Sequence, residues 1–144
     1  MTAPYRPDPR FAALGDTFST PVAPADFPRA EPVWWNTSWA RAVGLDLDVE
    51  RRKAHFHRFD PLPDNQAEPR AIKYHGHQFR VYNPEIGDGR GFLFGQVRDG
   101  AGRLLDFGTK GSGQTPFSRS GDGRLTLKGA GPEILAAEML DALG

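Results

Sequence analysis

Gly87-Asp88-Gly89-Arg90 returns as Gly121-Asp122-Gly123-Arg124, and Thr109-Lys110-Gly111-Ser112-Gly113 lies between the copies. Glycines let a backbone approach a ligand closely and adopt positive φ, while lysine and arginine supply the countercharge that phosphate requires. Holding a phosphate chain is the chemistry these types suit. A second reading stays open, because aspartate caps turns and glycine accepts positive φ, so each tetrapeptide is also a plain turn. Neither standard fingerprint applies: the glycines lack the spacing of a dinucleotide loop, and Lys110 lacks the full P-loop series before it. Gly113-Gln114-Thr115-Pro116-Phe117-Ser118-Arg119 adds backbone amides, a guanidinium and hydroxyls that either face a ligand or cap their own loop.

A lysine at a strand end and a glutamate at the start of a later helix can pair so that the lysine is aimed at phosphates. Lys110 and Glu133 are the candidates here, against the alternative that both are solvated surface charges. In Tyr74-His75-Gly76-His77-Gln78-Phe79 the two histidines stand at i and i+2, and His55 and His57 repeat that spacing. Without a cysteine or a glutamate motif beside them, structural hydrogen bonding is the expected role rather than metal ligation.

The elements that must position these groups follow from pattern. Gly91 to Arg98 has the aromatic and branched content of a strand, Asp99-Gly100-Ala101-Gly102 turns it, and Arg103 to Lys110 returns it, predicting an antiparallel hairpin. Lys110 then lies at the far end of the return strand, close to the first Gly-Asp-Gly-Arg. Asn36 predicts a capped helix over Thr37 to Val43 stopped by Gly44, and a shorter helix begins near Asp48 and runs through Lys53. Trp39, Ala40 and Val43 should face inward. Pro32 to Trp35 reads as a short strand or extended piece, Asp60 to Asn65 as a loop, and Gly111 to Ala130 as mostly polar loop. The last helix is predicted to start at Gly131-Pro132-Glu133, with Leu135, Met139 and Leu143 as a core-packing stripe.

The bulk numbers set bounds. At 144 residues the chain fits one domain with a real core. Its 18 basic and 18 acidic residues balance to a formal charge of zero, which argues against a broad nucleic-acid footprint. With no cysteine, disulfides, thiolate catalysis and cysteine-held metal centres are excluded. No apolar run resembles a membrane span, and Met1 to Arg10 lacks the apolar core of a secretory signal. A soluble intracellular protein, with no membrane partner, is the expectation. Residues 1–31 are proline-rich and predicted to be an extended leader, with Phe11, Phe18 and Phe27 as anchors; residues 32–144 form the folded unit.

Tyr74 to Phe79, Ile86 to Gly91, Lys110 to Arg119 and Gly121 to Arg124 together resemble the amino-terminal part of the selenoprotein O family, and Pro32 to Leu45 fits its upstream region more loosely. The resemblance covers most of residues 32–144. It implies an α+β fold, a protein-kinase-like amino-terminal lobe with a small antiparallel sheet, flanking helices and the extended leader. It also implies transfer of AMP from ATP to protein serine, threonine or tyrosine hydroxyls with Mg2+ or Mn2+, the nucleotide lying reversed relative to ordinary kinases. By the same resemblance Lys110 matches the phosphate-binding lysine and Glu133 the glutamate that positions it. Gly87, Asp88, Gly89 and Arg90 match the glycine-rich region over the nucleotide, with Gly113 beside it. Asp122 and Arg124 match the second glycine motif, with a phosphate or lobe-organising role. The compartment implied, for a bacterial chain, is the cytoplasm.

Two departures stand out. Arg80 occupies a position where the family usually has glycine, and Lys128-Gly129-Ala130-Gly131-Pro132 replaces a more basic lead-in to Glu133, with the proline expected to shorten that helix. The family's metal ligands and further phosphate-binding arginines lie beyond the residues matched. The metal is therefore expected only with a carboxy-terminal lobe or a complementary subunit, and whether this chain alone is an enzyme stays open. A non-catalytic interaction or regulatory module built on the same lobe is the alternative, and an excerpt with no function of its own is the third.

Overall fold

The hairpin predicted around Lys110 is the centre of the fold. In the computed structural model, which describes residues 2–144, strand β5 spans Gly91–Arg98 and β6 spans Leu104–Lys110. They pair antiparallel from Gly91 opposite Lys110 to Arg98 opposite Leu104. Asp99 closes the connection by accepting from the backbone of Ala101 and Arg103, each at 2.9 Å. From Phe92 to Val97 every residue of β5 is buried, whereas β6 alternates between more and less exposed positions. The first pattern belongs to a strand covered on both faces and the second to one covered on a single face.

Two short strands complete the sheet, β1 at Ser19–Pro21 and β2 at Arg70–Ile72, giving the antiparallel order β1-β2-β5-β6. Both fall outside the predicted elements. The leader is therefore not extended throughout: Ala12–Thr17 form a short 3-10 helix, β1 pairs with β2, and Pro7 bridges Val97. Arg98 fastens it further with a backbone bond to Arg6 at 2.8 Å and an ion pair to Asp8 at 2.8 Å. Met1, counted in the predicted leader, lies outside the described residues. Pro32 to Trp35 joins no strand or helix.

Helix α1, Thr37–Ala42, begins where expected because the Asn36 side chain accepts from Trp39 N at 2.9 Å. Gly44 follows with φ +77°, and a side chain there would strike the Tyr5 backbone. Helix α2, Val49–Phe56, is capped in the same way by Asp48. Between these helices and the sheet lies the core of Val43, Leu45, Phe59, Leu62, Phe92, Phe94 and Val97. Phe56 meets Trp35 and Phe94 edge-on, with centroids 5.2 and 5.4 Å apart. Each such aromatic contributes about 1.5–3 kcal/mol on burial, which makes this cluster the anchor of β5.

A separate hairpin, β3 (Gly76–Gln78) with β4 (Val81–Asn83), turns at Phe79 and Arg80, whose φ values are +53° and +67°. Helix α3 spans Leu127–Leu143, several residues earlier than its predicted start. Thr126 is the reason: its hydroxyl accepts from Gly129 N at 3.1 Å and caps the helix before the glycines. Pro132 lies inside the helix instead of shortening it, at the cost of one backbone donor. The stripe expected to pack inward faces solvent, with Leu135, Met139 and Leu143 exposed to 72, 55 and 76 %. The helix is held instead by polar tethers, Asn36 to Glu138 at 2.8 Å and Trp39 Nε1 to Asp141 at 2.9 Å. The architecture is a mixed α+β fold of small antiparallel sheets with flanking helices. No helix among the described residues is long and apolar enough to cross a membrane.

Candidate functional site

Pairing of Gly91 with Lys110 brings the first glycine turn and the lysine to the same end of the β5-β6 hairpin. Gly111 N bonds back to Arg90 O at 2.8 Å and locks that end. The result is an open cleft of about 400 Å³ walled by Gly89, Arg90 and Gly91 on one side and by Thr109 and Lys110 on the other. Lys110 Nζ donates to Glu133 Oε1, which lies outside the cleft lining, and both side chains are 50 % exposed. The sheet end and α3 thus bring together two residues separated by 23 positions. Thr109 also lines the cleft, and its buried Oγ1 has no hydrogen-bond partner. Thr109 stands one residue before Lys110 in β6, so its side chain lies on the opposite face of the strand, with Leu105 and Phe107 rather than with the lysine.

Within the first turn the aspartate has a structural task. Asp88 Oδ2 accepts from Ile72 N at 3.3 Å, tying the turn to β2. Burial pushes the Asp88 carboxyl above the usual carboxylate range, while the hydrogen bonds from Ile72 and the Tyr74 hydroxyl pull the other way. Tyr74 is in turn raised, first by burial and then by the negative charge of Asp88. Gly87 and Gly89 have no positive φ. At Gly87 glycine is needed for space, because a Cβ would fall 2.5 Å from the Phe117 ring and 2.7 Å from Ile72 O.

The second copy is built differently. Gly121 and Gly123 do take positive φ, +91° and +70°, and Asp122 Oδ1 accepts from Arg124 N at 3.0 Å. Arg124 is occupied with the leader: its Nη2 donates to Asp26 O at 3.0 Å and its guanidinium lies 5.0 Å from the centre of the Phe27 ring. Asp122 and Arg124 line a neighbouring polar cleft of about 690 Å³ with Arg119, and the two clefts meet at Tyr74, Gly89 and Arg90. Gly113 is buried and lines neither; the backbones of Ala25 and Gly123 pack against it.

The histidines make structural contacts. His75 Nδ1 and the Tyr82 hydroxyl are 2.6 Å apart, the His77 ring rests 5.6 Å from that of Tyr82, and His55 Nδ1 lies 2.8 Å from Asp60 O. Among the described residues no three His, Asp or Glu side chains are grouped so as to hold a metal ion.

The pattern of one family, described as protein adenylyltransferase SelO, matches residues 2–144. The chain belongs to the SelO family. A relative from Synechococcus elongatus, described as protein nucleotidyltransferase YdiU, is 49 % identical over 147 residues, covering 100 % of this chain and 29 % of its own length. Relatives of the same description from Synechocystis and Stutzerimonas stutzeri are 48 % and 49 % identical, each over 95 % of this chain and 28 % of their own length. The chain thus spans less than a third of these SelO relatives.

Proposed function

We propose that this chain is the nucleotide-binding part of an ATP-dependent protein adenylyltransferase, with residues 32–144 a partial kinase-like lobe and residues 1–31 a leader laid across it. The observation that carries the reading is that Lys110, paired with Glu133, lines a cleft whose other wall is a glycine turn with Arg90. Family membership supports it, and so does the donor chemistry. Lys110 and Arg90 suit the oxygens of a phosphate chain.

ATP, when bound, would supply the AMP that is transferred to a serine, threonine or tyrosine hydroxyl of another protein. Glu133 would hold Lys110 in the direction of the phosphates. Lys110 and Arg90 would offset the negative charge that grows there, and Gly89 would let the backbone come close without a side chain in the way. Asp122 and Arg124 are proposed to organise the adjoining wall, since Arg124 is already engaged by Asp26 and Phe27. The described residues offer no metal-ligand set. Magnesium or manganese would need ligands from further polypeptide, and no step is derived through it.

The exposed Leu135, Met139, Leu140 and Leu143 on α3 suit a covering surface from polypeptide of the family's full length. Titration of the chain with ATP and Mg2+, followed by calorimetry, tests the reading: saturable binding that weakens on Lys110→Met is expected, and no saturable binding would remove it. Transfer of AMP to a protein acceptor is expected from a chain of the family's length and to be negligible from this one alone.

A further inference from the structure

We propose that Thr115 and Ser118 are positioning residues that fix the first glycine turn, presenting its free backbone amides to phosphate; only the last clause rests on the nucleotide reading of the cleft. The Thr115 hydroxyl donates to Asp88 O, and the Ser118 hydroxyl donates to Gly89 O. Two successive carbonyls of the turn are thereby drawn to the same side. In a planar trans peptide the N–H points opposite to the carbonyl. The amides of Gly89 and Arg90 are therefore turned away from the clamp, and neither donates to another of the described residues. Adjacent free amides in such a turn make an anion-binding concavity.

Each hydroxyl is used fully. A hydroxyl has one proton to give and lone pairs to accept with. Thr115 Oγ1 gives its proton to the glycine turn and accepts from Phe117 N at 3.1 Å; Ser118 Oγ gives its proton likewise and accepts from Thr115 N at 2.9 Å. Ser118 N closes the same segment onto Thr115 O at 3.0 Å. Neither a methyl nor an amide fits both duties. Thr115 is 8 % exposed, and the Phe117 ring between the two hydroxyls fills the space that Gly87 leaves open. Hydroxyls that only capped their own loop would not reach across 27 and 29 positions to the turn.

The test is local amide exchange in the full chain without nucleotide, paired with ATP affinity, for Thr115→Val, Ser118→Ala and the conservative Thr115→Ser. In the first two, the amides of Asp88 and Gly111, which bond to Ile72 and Arg90 around the turn, should exchange about tenfold faster while those of β5 keep their protection. ATP affinity should fall about tenfold, and Thr115→Ser should restore both. Unchanged exchange at Asp88 and Gly111, or an equal rise across β5, overturns the proposal. If the turn loosens as expected but the unmodified chain binds no ATP, the clamp is supported and the nucleotide reading is what fails.

Discussion

Glu133→Gln separates two jobs that the ion pair to Lys110 could perform. Both partners are 50 % exposed, so as a prop for folding the pair is worth about 0.2–1 kcal/mol. Its loss should lower Tm by no more than about 4 °C. As a guide for Lys110 it matters more. A lysine that must be immobilised at the moment of binding loses about 0.5–1.5 kcal/mol of rotamer freedom, so ATP should bind about 2- to 12-fold more weakly. Lys110→Met removes the charge-assisted bond itself, worth about 1.5–3 kcal/mol, and should weaken ATP by about 10- to 150-fold. Once the lysine is gone Glu133 has nothing to orient, so the double variant should bind no worse than Lys110→Met alone. Calorimetric titration of the four proteins, with melting curves alongside, gives the cycle. Additive losses, or a Glu133→Gln protein that binds as tightly as the parent, would refute the orienting role and leave Glu133 a competitor for the lysine.

Four further outcomes are expected. Arg80→Gly should stabilise the chain slightly. A left-handed residue costs about 1–2 kcal/mol that glycine avoids, against about 0.4–1 kcal/mol of added unfolded-state entropy, and a lower urea midpoint would contradict this. Gly87→Ala should cost about 1–3 kcal/mol, and Phe117→Leu should rescue it only partly because Ile72 O also stands within 2.7 Å. Gly89→Ala, whose nearest atom would be 3.5 Å away, should melt near the parent temperature yet bind ATP less well. For Asp88, burial raises the folded-state pKa above the unfolded one. Its contribution is thus fully present below the ordinary carboxylate range and lost as pH rises through the folded value. The stability of the parent relative to Asp88→Asn should fall as pH rises above the ordinary carboxylate range, about pH 4, and a gap that widened instead would reverse the sign.

The parts of this fold legible in the sequence were those that local chemistry decides. Aromatic and branched content and a glycine turn marked the β5-β6 hairpin, and its register carried Lys110 to the first Gly-Asp-Gly-Arg without any further information. Asn36 and Asp48 announced their helices because a cap acts within three residues. The strands β1 and β2 were hidden because three residues carry no period, and Arg70–Ile72 is a strand only by virtue of neighbours on either side. At α3 a threonine cap outweighed two glycines and a proline. Its apolar stripe was correctly seen as a face but wrongly given to the core, since periodicity says that residues share a side and not what lies opposite. Equal tetrapeptides also concealed unequal work: one places glycine for space, the other for positive φ.

The Pro7 bridge to Val97 and the Arg98 ion pair to Asp8 join positions 90 residues apart. Asp8 leaves the ribosome long before Arg98, so this segment must wait for the strand it joins. Until β2 and β5 have emerged, the leader has no sheet to join, and the loop it must close is most of the chain. The segment that pins Arg124, through Asp26 and Phe27, therefore completes the wall beside the cleft only after the sheet has formed.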